Sequence, residues 1–340
     1  MQRASAWAVV VGVTVVMAGA GCLRSSSPPA PVASGQQTPF AVAGWPPGSS
    51  TVSAASSASV APGVASAEPA PVVVPPPEEP TETVEQLRER ARRELGEKVS
   101  FALVHERFLM VGSPGWGASG VQSSAAFSER VLGALLTGRF DRLPTHTLPV
   151  YLFGDVSSYE AYCKKQYGGA CISPYGFFSP SDRRLVMNVG LGIGSLSHEL
   201  VHPIVEVDFP EAPTWLNEGI ASLFEAPLMP KKGEIHGAKN WRYPRLQAAL
   251  LSPRERDKVT LDALFALSDE QFRGDDESLN YALARYVCQW LDGRQQLWTF
   301  YRGWRDGVAT DRFGKKAFQA ATGQTTTEAN DAWSRWARQL

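Results

Sequence analysis

His198-Glu199-Leu200-Val201-His202, followed downstream by Glu218 within Trp215-Leu216-Asn217-Glu218-Gly219, constrains this chain more than any other feature. Residues four apart lie on one face of an α-helix, so a helix through 198–202 presents two imidazoles to a single metal ion. Glu199, one step round the helix, flanks such an ion and is placed to take a proton from its bound water. Glu218 offers a third protein ligand and leaves a fourth position open, which distinguishes a catalytic zinc site from a closed structural one. The chain has only 5 histidines in 340 residues, so two at this spacing around a glutamate weigh against a merely solvated surface helix.

The flanking residues support the same reading. Leu196, Leu200, Ile204 and Val207 recur at helical spacing and predict one buried face, with Ser195 or Ser197 as the cap. Pro203 removes one backbone hydrogen bond and is expected to kink the helix just past the second histidine. Pro210 and Pro213 break the chain, Thr214 is a candidate cap, and 215–225 reads as a second amphipathic helix. Glu218 sits among Leu216, Ile220, Leu223 and Phe224, and a carboxylate in apolar company is costly unless it is paired or binds a metal. Glu225, two turns on, is a candidate to orient one of the histidines, or else a helix-end charge.

HELVH followed by Pro-Thr-Trp-Leu-Asn-Glu-Gly-Ile-Ala-Ser-Leu-Phe-Glu (213–225) resembles the gluzincin, or peptidase MA-like, zinc metallopeptidases, uncharacterised bacterial members among them. The resemblance is strongest over 175–226 and extends through 290. It implies Zn2+ held by His198, His202 and Glu218, with Glu199 as general base. It also implies a downstream tyrosine that stabilises the oxyanion; Tyr281 is the matching residue and Tyr286 the reserve, against a reading of both as core aromatics. Two departures matter. The stretch 203–217 is shorter than in M1-type aminopeptidases, and their GxMxN motif is absent. Arg183 to Asn188 occupies the upstream place and is expected to form an edge strand, able to align a peptide by strand addition without needing a free terminus. The expectation is therefore a metallopeptidase acting as an endopeptidase on a peptide or protein substrate. The alternatives are a hydrolase of cell-wall peptide or another non-protein substrate, and an anchored binding module with a structural zinc site. Glu199 argues against the last, since a structural site has no use for it.

The N-terminus has Arg3, an apolar run from 7 to 17 and then Ala18-Gly19-Ala20-Gly21-Cys22, which predicts an export signal too short to span a membrane. Cysteine after small residues resembles a lipoprotein lipobox, so residues 1–22 are expected to be removed up to a diacylated Cys22, anchoring the chain to the outer membrane. Gly19 stands where that motif carries leucine, which keeps a soluble periplasmic or secreted product as the alternative. Residues 23–80 are Pro-, Ser- and Ala-rich with almost no charge, and cannot bury enough surface to offset ordering. They are expected to form a disordered tether spanning some 40 Å. Cys163 and Cys171 are expected to close a small disulfide worth roughly 2–3 kcal/mol, and Cys288 to be a buried free thiol.

What remains, 81–340, is expected to be one metallopeptidase domain, acting as a monomer, with an α/β part (81–207) and a mainly helical part (208–340). With 33 basic and 34 acidic residues and net charge −1, nothing favours nucleic acid as a partner. The pattern predicts strand at 99–110, helix at 125–136, strand at 148–153 and helix at 156–167. A hairpin across Pro180-Ser181-Asp182 precedes the metal helix, and helices dominate after 226. The fold class is α+β: a zincin-like mixed sheet with helices, then a mainly helical C-terminal subdomain. The segment 232–245, with His236, Lys239, Asn240, Trp241 and Arg242, is expected to be a surface connection, with contact to the cleft as the alternative.

Overall fold

The structure is a computed structural model that describes residues 81–340; the expected signal, Cys22 and the linker to residue 80 lie outside the described residues. The first part runs α1 (Val84–Leu95), β1 (Ser100–Val104), β2 (Phe108–Gly112), α2 (Gly117–Leu135), β3 (Leu148–Phe153), α3 (Val156–Tyr167), β4 (Gly176–Ser179), β5 (Arg184–Asn188) and α4 (Gly194–Asp208). The rest is helical: α5 (Thr214–Leu223), α6 (Tyr243–Leu251), α7 (Leu261–Ala266), α8 (Asp269–Phe272), α9 (Glu277–Gly293), α10 (Leu297–Gly307), α11 (Lys315–Thr322) and α12 (Thr326–Gln339). This is the expected α+β class, a mixed sheet leading into a helical C-terminal part.

The sheet order is β1-β2-β3-β5-β4, with β2, β3 and β5 parallel and an antiparallel strand at each edge. Strands β2 and β3 are buried along their whole length because helices cover both faces. Alternation sorts their side chains. Phe108, Met110, Val150 and Leu152 join the core under α2 and α4, while Leu109, Val111, Tyr151 and Phe153 meet Leu87 of α1 and Tyr159 and Tyr162 of α3.

Two strand expectations are corrected. The run 99–110 is not one strand but a hairpin, because His105 and Glu106 both turn through positive φ (47° and 57°), a conformation uncommon for any residue but glycine and unmarked here by glycine or asparagine. The segment beginning at Arg184 is not the sheet edge either: β5 lies between β3 and β4, and β4 is the edge, beside α4. Asn188 N–H donates to Tyr175 O at 2.9 Å, so in the antiparallel ladder Phe177 and Ser179 face β5. The backbone groups of Gly176 and Phe178 consequently point away from β5, on a strand that is buried beside α4.

Cys163 and Cys171 form the expected disulfide, with Cα atoms 5.2 Å apart, and Cys288 is a buried free thiol. Among the described residues no helix is long and apolar enough to cross a membrane.

Candidate metal centre

Helix α4 carries His198, Glu199 and His202, and continues through Pro203 to Asp208. Leu196, Leu200 and Ile204 are fully buried beneath it, as the spacing predicts, whereas Val207 at the end of the helix is only half-buried. Neither serine caps it: Ile193 holds the cap position without a side-chain bond, and Ser195 and Ser197 lie inside the helix. Ser197 instead donates to Phe224 O at 2.7 Å, and Ala226 N–H donates to Gly194 O at 3.3 Å. These bonds tie the start of α4 to the end of α5.

Helix α5 begins at Thr214, which is its first residue and not its cap; its N–H is taken by the Asp269 side chain of α8 at 3.1 Å. Helix α5 then lies directly on α9. A Cβ added to Gly219 would stand 2.8 Å from Cys288 Sγ and 2.9 Å from the Ala284 carbonyl, so only hydrogen fits there. This close approach brings Glu218, on α5, between α4 and the start of α9.

The result is a cluster of side chains from two helices. His198, Glu199 and His202 form a group that could hold a metal ion, each offering a ligand atom within 4.8 Å of the others. Glu218 comes at least as close: its Oε2 is 3.4 Å from His198 Nε2 and 3.9 Å from His202 Nε2. Glu199 Oε2 lies 3.8 Å from His202 Nε2. All four side chains are largely buried, Glu218 most of all at 9% exposure. Ligands of a tetrahedral zinc at about 2.0–2.2 Å stand about 3.4 Å from one another, so the spacing of Glu218 and the imidazoles suits that ion. The donor chemistry fits as well. Glu218 Oε2 is buried with no hydrogen-bond partner, and an ionised oxygen in that position calls for a cation.

Electrostatics agree. Burial alone would raise the Glu218 carboxyl, but His202, His198 and Arg273 outweigh it and hold the group well below the usual carboxylate range. Burial pushes His198 down, yet Glu218 and Glu199 reverse this and raise it. Two carboxylates around two imidazoles favour added positive charge.

His202 Nδ1 lies 2.9 Å from Asn217 Oδ1. That oxygen can only accept, so Nδ1 carries the hydrogen, and in the neutral ring this leaves Nε2, the atom facing Glu218, free to ligate. Asn217 went unnoticed in the sequence although it adjoins Glu218; the pattern of α5 did not reveal which way an amide at that position faces. Glu225 does not orient a histidine. It pairs with Arg242 (3.6 Å), and His198 Nδ1 is buried without a partner.

Tyr281 belongs to the cluster and Tyr286 does not. The Tyr281 hydroxyl accepts from Arg273 Nη1 at 3.2 Å, and Arg273 Nη2 donates to Glu218 Oε1 at 3.0 Å. Burial first, and then the nearby Glu218 charge, raise the Tyr281 hydroxyl far above its ordinary range, so it stays protonated as a donor. The Tyr286 hydroxyl instead receives the Asn240 N–H at 3.1 Å. It joins Arg285, bonded to Ala238 O, and Gln289, 3.1 Å from Gly237 O, in pinning the 236–240 segment onto α9. That anchoring carries Arg242 over the Tyr281 ring (4.8 Å) and over the exposed Trp241 ring (4.2 Å). The 232–245 connection thus reaches the cluster through Arg242. A surface cavity lined by Trp241, Tyr243, Gln247 and Arg338 lies alongside but contains none of the cluster's ligating groups.

No protein-family model matches the chain, and no curated protein matches it in sequence.

Proposed function

We propose that this protein is a zinc-dependent hydrolase of peptide bonds, an endopeptidase, with His198, His202 and Glu218 as the metal ligands. The observation that carries the reading is the buried Glu218 Oε2 facing both imidazole Nε2 atoms, with a second carboxylate, Glu199, beside them. A zinc ion held there supplies an acidified water and a polarised scissile carbonyl.

The protein groups do the rest. Glu199 accepts a proton as water oxygen adds to the carbonyl carbon, then returns it to the amine nitrogen as the C–N bond breaks. Tyr281 donates its hydroxyl hydrogen to the oxygen that becomes negative, a role worth roughly 10²–10³ in rate. Asn217 holds His202 in the tautomer that ligation requires. β4 is the last strand of the sheet, beside α4, and the Gly176 and Phe178 backbone groups that β5 leaves unused are where an extended peptide would add. Strand addition of this kind needs no free terminus, which favours internal cleavage. Export with Cys22 as a lipid anchor would place this chemistry at the cell envelope.

The full chain, incubated with casein and a mixed peptide pool with and without 1,10-phenanthroline, tests the reading. Chelator-sensitive cleavage at internal positions supports it. A folded, zinc-loaded chain that cleaves neither substrate, while the metal stays bound, argues for a structural site.

A further inference from the structure

The cation that touches Glu218 among the described residues, Arg273, is announced by no motif. Arg273 follows α8, and its side chain is 41% exposed while its guanidinium reaches inward with both arms. Nη2 donates to Glu218 Oε1 at 3.0 Å and Nη1 to the Tyr281 hydroxyl at 3.2 Å. We propose that Arg273 is a positioning residue that sets both the glutamate ligand and the tyrosine donor, as a single two-armed clamp. The proposal rests on the metallohydrolase reading above and assigns the part that makes its geometry unique.

The argument is one of valence and shape. Glu218 has two oxygens, and the planar guanidinium engages one of them, leaving Oε2 alone towards His198 and His202. A carboxylate held this way ligates through one oxygen and leaves a position open for water or substrate. At Tyr281 the logic concerns the hydrogen. A guanidinium has donors only, so the hydroxyl oxygen accepts from Arg273 and its own hydrogen must be given to some other acceptor. Arg242 over the Tyr281 ring restrains the same side chain from its face. A lysine has no fork and cannot hold two acceptors in this fixed geometry.

The test uses the full chain and its Arg273→Ala, Arg273→Lys, Tyr281→Phe and His198→Ala variants, loaded with cobalt(II). Visible absorption and chelator competition report the metal site, and kcat and KM on a cleaved peptide report turnover. Arg273→Ala should weaken cobalt affinity by about 10–100-fold and alter the spectrum. Tyr281→Phe should leave both unchanged while lowering kcat. Arg273→Lys should restore affinity to within a few-fold, yet keep kcat depressed at little-changed KM; it also serves if the alanine variant does not fold. Parent-like affinity and spectrum in Arg273→Ala, beside loss of both in His198→Ala, overturn the clamp and leave the metal reading standing. Full rescue of affinity and kcat by lysine overturns the two-armed role. A parent chain that binds no cobalt, or binds it equally after His198→Ala, overturns the metal reading and the clamp with it.

Discussion

Glu199 and Glu218 carry the same functional group and face the same imidazoles, yet their neighbours suit them to different work in the proposed hydrolase. Glu218 is buried, held at one oxygen by Arg273 and directed at both Nε2 atoms with the other, which suits a fixed ligand. Glu199 sits one step from His198 on the helix and reaches the group from the side, which suits proton transfer. Replacing Glu199 by Gln keeps the shape and removes the basicity. Turnover should fall by at least about 10²–10⁴-fold while one metal ion per chain remains by elemental analysis, and loss of metal from the variant would count against its role as base. The four principal residues were legible because helical periodicity and side-chain chemistry are local properties. Arg273 was not, because its contact with Glu218 spans 55 positions of chain and no local pattern encodes it.

At the scale of elements, the site depends on how closely α5 lies on α9. Gly219→Ala would drive a Cβ into Cys288 Sγ and the Ala284 carbonyl. The variant should lose about 1–3 kcal/mol in urea denaturation and bind metal more weakly, since Glu218 precedes the clash. Adding Cys288→Ala should restore only part of this, because the Ala284 carbonyl remains. Away from the site, Asp262 joins α7 to α11 and α12 by accepting from Lys315 (2.7 Å), Thr326 and Thr327 (2.6 Å each). Those bonds, Lys315 first, hold its carboxyl at about 2, below its ordinary 3.8. A depressed carboxyl stabilises the fold fully above its unfolded value and loses that contribution as pH falls through the folded one. With Asp262 more than a third exposed, the contribution should be about 1 kcal/mol. Asp262→Asn should therefore be less stable than the parent at pH 7, and the difference should shrink as pH drops from 4 towards 2.

Across the whole molecule, the candidate ligands come from two helices, one packed against the sheet and one against the C-terminal helices. A metal bound there bridges both, so it should raise the melting temperature by mass action: at a thousandfold excess over Kd the linkage is worth about 4 kcal/mol. Scanning the apo chain with rising zinc should show that increase, and His198→Ala should abolish it; an unchanged melting temperature in the parent would contradict metal binding by the folded state. The sequence by itself determined the fold class, the strand at Leu148–Phe153, the helix at Val156–Tyr167, the histidine helix and the glutamate helix, because each is written in periodicity and breakers within a dozen residues, even where the expected caps fail. Tertiary structure alone decided which strand is the edge, that His105 and Glu106 turn a hairpin, that Asp269 caps α5, and that Tyr281 rather than Tyr286 meets Arg273. Each of these depends on a partner remote in the chain or on a backbone conformation its residues do not signal, and packing selects among options that local preference leaves nearly equal in energy.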